Sequence, residues 1–446
     1  MLTYQDLVDV GDNTVRRMEF VQRIINEHRG SQLYKTAVMA DQYYKHLNPT
    51  IMAVQKFVYD AFGRTQPDII SANHKIPCRY FFYFVTQEVS YLLGNGVTFK
   101  DEQTKGKLGS NFDRAVKQLA TKAICAGISF GFWNLDHLEV FGVADDNGCF
   151  APLYDEENGS LRAGVRFWQI DGRKPIRATL FEEDGFTEFI KRPGEDMEIL
   201  QDKRSYVLNA RQTEVSGTEI FDGRNWPTLP IIPFFNINKQ SDLLGSRGSI
   251  DAYDLMASDL VNNVDDANII YWIIRNAGGM DDIDDAEFVR RLKTMHVAHL
   301  ENDEQVDPHS IVVPYEASNV ALDNLRTQMF DDFMALDVKK IAGGAVTATQ
   351  IEAAYEPLNE KTDQFEDCVT EFIESLLKMI GIEDAPTYTR SAIVNKSEEI
   401  QNVINAAQFL TDDYVTKKIL DLMGDQDQAV EILAEKIAND YPNIDE

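Results

Sequence analysis

The stretch SIDAYDLMASDLVNNVDDANIIYWIIRN (249–276) constrains the fold more than any other. Ile250, Tyr253, Ala257, Leu260, Val264, Ala267, Tyr271 and Ile274 recur in alternating steps of three and four. That is a heptad-like seam over roughly 25 residues, or ~37 Å of helix. A seam of this length needs a partner along most of it. A second stripe, Asp251, Asp254, Ser258, Asn262 and Asp265, has the same spacing and carries no positive charge. One side of the helix is therefore expected to pack, and another to be polar and acidic.

The partner follows in the chain. Leu322, Leu325, Met329, Phe333 and Leu336 recur at helical spacing, with Ser318-Asn319 as N-cap and an end near Asp337. Between the two helices lies a small insert (276–317) containing AGGMDDIDD, a short helix AEFVRRLKTM, and HVAHL and SIVVPYEA as short strands. Two long helices bracketing a small module describe a stalk with a tip. After the returning helix comes DVKKIAGGAVTATQIEAAYEPL (337–358), a short Gly-Gly loop leading into a third helix at about 349–380, which Pro357 should kink.

The N-terminal third is mainly helical. NTVRRMEFVQRIINEHRG ends at Gly30, SQLYKTAVMADQYYKHLNP opens on Ser31 as N-cap, and RYFFYFVTQEVSYLLGNGV and NFDRAVKQLATKAICAG follow, the last stopped by Gly127. From 128 to 235 short apolar runs alternate with the turn signals DDNG, EENG, EEDG, RPGED and FDGRN, which describes antiparallel hairpins. WPTLPIIP, with three prolines, marks a boundary before the helices return near 248. The segment from Ser397 is helical and acidic, with Thr411 as a cap. The fold class is α+β, mainly helical.

Composition narrows the function. The 446 residues are 44% hydrophobic, enough for one large core or several smaller ones. No basic-then-apolar leader stands at the start, and the densest apolar runs, IIYWII and LPIIPFF, are too short to span a bilayer. A soluble intracellular protein without membrane contact is expected, and the NKS sequon at 395–397 then has no meaning. Cys78, Cys125, Cys149 and Cys368 are scattered and form no CxxC pair, so free thiols are expected rather than disulfides or zinc. The net charge of −30 lacks the basic footprint of a protein that grips nucleic acid. Either the chain never meets nucleic acid, or it meets it without gripping.

The catalytic signals are weak. GISFG (127–131) matches G-x-S-x-G, but a nucleophile elbow runs strand–turn–helix and here the helix comes first. A helix-to-strand turn is expected instead. His296 and His299, near Glu301 and Asp303, would point to opposite faces of a strand. DDIDD (281–285) precedes AEFVRRL and suits the N-terminal dipole of that helix, with cation binding as the alternative. TKGKLG lacks the first glycine of a phosphate-binding loop, and GNGVTF the third glycine of a dinucleotide fingerprint. No catalytic residue, cofactor or metal is expected.

The order of these pieces resembles the portal proteins of tailed bacteriophages, in the branch of long, flexible-tailed phages of Gram-positive bacteria. VTQEVSYLLGNGVTF, GISFGFWNLD, LPIIPFFNIN, SIDAYDLMASDLVNNVDDA, GGAVTATQIEAAYEPLNEKTDQFE and FLTDDYVTKKILDLMG stand in the matching order. The resemblance implies a ring, usually of twelve copies, at one capsid vertex, through which double-stranded DNA enters and leaves. It implies a wing (1–247), stem helices (248–275 and 318–337), a clip (276–317), a tunnel loop (338–348), a long kinked wing helix (349–384) and a crown (385–446). It also implies partners: the terminase large subunit, a head–tail adaptor, and the major capsid and scaffolding proteins. The protein would then be assembled in the bacterial cytoplasm and carried in the virion.

Three sets of residues take roles on this reading. The stripe of Asp251, Asp254, Ser258, Asn262 and Asp265 would line the channel, where acidic walls keep phosphates from sticking within a Debye length of about 8 Å. Lys339, Lys340, Ile341, Ala342, Gly343, Gly344, Ala345 and Val346 would form the tunnel loop. Asp281, Asp282, Asp284 and Asp285, with Arg290, Arg291 and Lys293, would dock partners at the clip. A cation-dependent phosphodiesterase using DDIDD with His296 and His299, and a monomeric acidic scaffold, remain the alternatives.

Overall fold

The computed structural model describes residues 2–59, 64–68, 71–145, 148–213, 217–267, 271–275, 305–309, 315–341, 348–391 and 396–423. The N-terminal region carries α1 (Tyr4–Val10), α2 (Thr14–Gly30), α3 (Gln32–Tyr44), α4 (Pro49–Ala53), α5 (Tyr80–Leu93), α6 (Glu102–Lys107) and α7 (Phe112–Ala126). Short strands β1 (Phe57–Tyr59), β2 (Thr65–Pro67) and β3 (Val97–Phe99) lie between them. Asn13 caps α2 by accepting from the Arg16 N–H, and Ser31 caps α3 by accepting from Tyr34 N–H, each at 3.1 Å. α7 buries Val116, Leu119, Ala120, Ala123 and Ile124 along one side and ends at Gly127, whose φ of 86° only glycine adopts without strain.

The hairpin region divides into two sheets and a ribbon. β6 (Cys149–Tyr154), β7 (Leu161–Trp168), β8 (Ile176–Glu182), β9 (Gly185–Lys191) and β10 (Met197–Arg204) form an antiparallel meander, preceded by β4 (Ile128–Asn134) and β5 (His137–Phe141). β11 (Val207–Thr213) and β12 (Gly217–Arg224) pair as a ribbon. EENG, EEDG and RPGED are three of the four connections of the meander, whereas FDGRN closes β12. One face of the meander, with Ala151, Val165, Leu180 and Phe189, packs on Phe20, Val21, Ile24 and Ile25 of α2.

The proline-rich segment leads into the last strand before the helices return. β13 (Ile231–Phe235) returns to pair with β4, from Ile231 opposite Phe132 to Phe235 opposite Ile128, in the order β13-β4-β5. Pro233 is accommodated because β13 is an edge strand, where one row of N–H groups has no ladder partner.

The stalk expected from the sequence is present with altered bounds. α8 (Leu243–Ala267) packs against the returning α9 (Tyr315–Asp332). The seam was expected to stay helical to Ile274. Instead β14 (Tyr271–Arg275) pairs with β15 (Gln305–His309), Tyr271 opposite His309. YWIIR is rich in aromatic and β-branched residues, and that preference overrides the heptad spacing. α9 starts before the Ser318-Asn319 pair and stops five residues short of Asp337. Its end is a Schellman motif made without glycine: Met334 sits at φ 53°, its N–H bonds to Asp331 O at 3.1 Å, and Ala335 N–H reaches Phe330 O at 2.9 Å.

A one-turn α10 (Val338–Ile341) follows, then α11 (Ala348–Ile380), which is continuous through Pro357. β16 (Pro386–Tyr388), α12 (Lys396–Ala406) and α13 (Asp412–Met423) complete the described chain. The largest core joins α5, α7, α11 and the end of α9. Phe84 lies 4.3 Å from Phe333 and 5.0 Å from Phe330, ring centre to ring centre, while Phe234 of β13 meets Phe365 and Phe372 edge-on.

Candidate functional site at the base of the stem

The polar stripe of α8 is a docking ladder for the protein's own backbone. Asp254 accepts from the Cys78 N–H at 2.7 Å and from the Asn48 side-chain amide at 2.5 Å. Ser258 Oγ accepts from the Ile76 N–H at 3.0 Å, and Asn262 Oδ1 from the His74 N–H at 2.6 Å. The spacing explains the match. Four residues of helix rise about 6 Å, close to the advance of two residues of extended chain. Positions 254, 258 and 262 therefore meet alternate residues 78, 76 and 74.

Three of the five residues expected to line a channel are thus covered by the chain itself. Asp254, Ser258 and Asn262 are at most 2% exposed within a single chain, and assembly can only bury them further. Asp251 is half-buried, bonded to Tyr43 OH and at 3.0 Å to Thr50 Oγ1, and Asp265 is exposed beside His74 at 3.1 Å. Periodicity identified a face but not what covers it. Burial raises the Asp254 carboxyl and the Cys78 thiol above their ordinary values. Asp254→Ala removes the acceptor of a buried backbone N–H. It should cost about 2–3 kcal/mol and speed amide exchange at Ile76 and Cys78, measured by urea unfolding and hydrogen exchange. Unchanged exchange at both would show that the ladder does not hold this segment.

The exposed acidic face belongs to α9. Glu316, Asp323, Asp331 and Asp332 stand on it among Asn319, Asn324, Thr327 and Gln328. The lone cation of this helix, Arg326, is turned to Asp337, with guanidinium nitrogens at 2.6 and 2.9 Å from its two oxygens. That pair fixes the strap 333–341. Gln87 of α5 grips the strap again, accepting from Leu336 N–H at 2.9 Å and donating to Leu336 O at 3.0 Å. Asp337 also accepts from Lys339 N–H at 3.0 Å.

Lys339, Lys340 and Ile341 lie on α10, with both lysines exposed and Lys340 at 3.7 Å from Asp331. Ala342, Gly343, Gly344, Ala345 and Val346 fall outside the described residues, as do Asp281, Asp282, Asp284, Asp285, Arg290, Arg291, Lys293, His296 and His299. The strap is thus anchored immediately before the Gly-Gly segment, and α11 begins immediately after it.

Beneath the strap is a cluster with no sequence motif. Lys361 Nζ of α11 lies 2.8 Å from Glu88 of α5 and 2.6 Å from Asp242, next to the start of α8. Its third bond runs to Phe333 O at 3.4 Å. One cation therefore ties the long helix, the wing, the entry to the stem and its exit.

GISFG is the helix-to-strand turn expected. Ser129 is buried on β4 and donates to Leu119 O at 2.8 Å, so its hydroxyl is unavailable as a nucleophile. The four cysteines are free. Among the described residues no cluster of three or more His, Cys, Asp or Glu could hold a metal, and no helix is long and apolar enough to cross a membrane.

Two long helices, α8 and α9, thus pack together beside a core shared by α5, α7 and α11, with an anchored strap between α9 and α11. The chain belongs to the family of phage portal proteins described as SPP1 Gp6-like, whose profile matches residues 23–441. It is similar to the portal protein of Bacillus phage SPP1, at 23% identity over 411 residues, covering 86% of this chain and 79% of the relative. It is similar also to the portal protein of Clostridium phage phiCD119, at 23% over 432 residues, covering 86% and 91%. A chain in the virion of a native gene transfer agent particle superposes with a TM-score of 0.46 at 13% identity, covering 76% of this chain and 89% of that one. The family is a structural one, and neither the phosphodiesterase nor the monomeric scaffold is favoured.

Proposed function

We propose that this chain is one subunit of a twelve-membered ring at a unique capsid vertex, and that double-stranded DNA passes through the ring during packaging and ejection. The observation that carries this reading is the anchored strap between the stem and α11. It fixes the chain through Leu336, Asp337 and Lys339, just before the Gly-Gly segment. The acidic exposed face of α9, with Asp265 of α8, supports a lumen lined there rather than by the buried stripe. Electron microscopy of the purified protein tests the ring: annular particles with a central hole are expected, and a monodisperse monomer would overturn it.

On this reading Lys339 and Lys340 touch phosphates weakly as DNA slides, and Gly343 and Gly344 let each copy of the loop move. Lys339→Ala with Lys340→Ala should lower retention of packaged DNA while rings still form. Gly343→Pro with Gly344→Pro should arrest translocation, with assembly intact. DNA content per capsid measures both, and wild-type filling and retention in both variants would make the loop a passive connector.

The module at 276–317, with its acidic run and its Arg290, Arg291 and Lys293 helix, would dock the terminase large subunit first and a head–tail adaptor later. Separated acidic and basic patches set encounter rate and register more than affinity, which suits exchange of partners. The wing would meet the major capsid and scaffolding proteins during assembly in the host cytoplasm. The ring would do no chemistry of its own and would rely on the motor for energy.

A further inference from the structure

Two features on opposite flanks of α8 stand open within the chain. One is a cavity of about 540 Å³ between the start of α5, α8, α9 and the strap. Its interior is aromatic: Tyr80 meets Tyr253 edge-on at 5.2 Å and Phe330 at 6.2 Å. Ile76, Tyr83 and Val338 at its rim are 38%, 38% and 42% exposed. Arg79 and Lys339 also line it, and neither forms an ion pair with a carboxylate among the described residues. Apolar side chains gathered around a concave opening mark a contact surface.

The other feature is a ridge, Gly248, Ala252, Leu255 and Asp259, at helical steps of four, three and four. Leu255 is 43% exposed, and Asp259 is exposed one turn on. Each helical residue turns by about 100°, so side chains two positions apart leave on nearly opposite sides. Ala257 lines the cavity, and Leu255 therefore points away from it.

We propose that Leu255 of one copy of this chain seats in the aromatic cavity of the next copy around the ring. This rests on the ring reading and names the contact that would close it. Three properties of the two surfaces support a second copy as the occupant. A cyclic ring joins two different faces of the same chain, and here knob and socket face in opposite directions. Cyclic symmetry has no rise along its axis, and with α8 running along that axis, as the stem reading has it, Leu255 stands within about 3 Å of the height of Ala257. The ridge carries Asp259 and no cation, while the socket rim carries Arg79, so the signs are complementary.

The test is cross-linking in the full-length chain with Cys78 replaced by Ser. Leu255→Cys with Ile76→Cys, treated with a short bismaleimide, should give a ladder of covalent multimers on a denaturing gel. Either single variant should give none. Leu255→Asp should abolish most rings and Leu255→Met should keep them, with circular dichroism unchanged in both because the side chain is exposed. Rings that form in the parent and in Leu255→Asp, and no ladder in the double variant, would overturn this contact and leave the ring intact. A parent chain that never forms rings would overturn both.

Discussion

Replacing Lys361 by Met is expected to lower the free energy of unfolding by about 3 kcal/mol, because two carboxylates lose the cation they share in a largely buried site. The side chains of Lys361, Glu88 and Asp242 are 13%, 3% and 15% exposed, so water reaches Asp242 but not Glu88. Burial pushes the Glu88 carboxyl up to about 7, against the pull of Lys361 and with a further push from Asp242. A group whose value is raised on folding takes up a proton when the chain folds. Its favourable contribution is complete below its ordinary value of 4.5 and is lost as pH rises through about 7. Urea midpoints between pH 5 and 8 should therefore fall more steeply in the wild type than in Glu88→Gln. The deficit of Lys361→Met should be larger at pH 8 than at pH 5, since at low pH Glu88 can neutralise itself. Parallel wild-type and Glu88→Gln curves would show that Glu88 stays ionised throughout.

Arg326→Ala is expected to cost about 2–3 kcal/mol and to free the strap. Asp337, with its side chain 5% exposed, would lose both its charge-assisted bonds, and Phe330 would lose the guanidinium 4.5 Å above its ring. The bonds from Arg326 hold the Asp337 carboxyl below its ordinary value. The sign is opposite to that of Glu88. This contribution is present above about 3.8, the ordinary value, and is lost as pH falls through the lower folded value. The gap in thermal midpoint between wild type and Arg326→Ala should thus narrow on acidification below pH 4. Amide exchange at Leu336 and Lys339 should rise in the variant. A gap that stays constant to pH 3 would show that stacking on Phe330, and not the ion pair, anchors the strap.

Much of the architecture was legible because its signals are local. The Ser31 cap, the Gly127 stop and the EENG and EEDG turns each act within a few residues, and each marks the element it should. The end of α9 was misplaced because its left-handed position is filled by Met334, which carries no glycine signature. The continuation of the heptad seam failed at Tyr271, where strand preference and pairing with Gln305–His309 outweigh spacing. The stripe of α8 was found as a face, but its role depends on residues 74–78, some 180 positions earlier in the chain. The Lys361 cluster had no signal at all: Glu88, Asp242 and Lys361 are ordinary charged residues in separate elements, and only the packing of four segments brings them together.

The pairing of β3 with β16 sets a timetable for synthesis. Thr98 bonds to Thr387 across 289 positions of sequence. At translation rates of about 5–20 residues per second, β3 waits roughly 15–60 s for its partner to be made. Glu88 has emerged without Lys361 through nearly all of that interval, and Asp242 precedes Lys361 by 119 positions. A nascent chain that has not reached Lys361 therefore carries the mismatched charges of an unfinished core, and one that has not reached 388 leaves β3 without its partner strand.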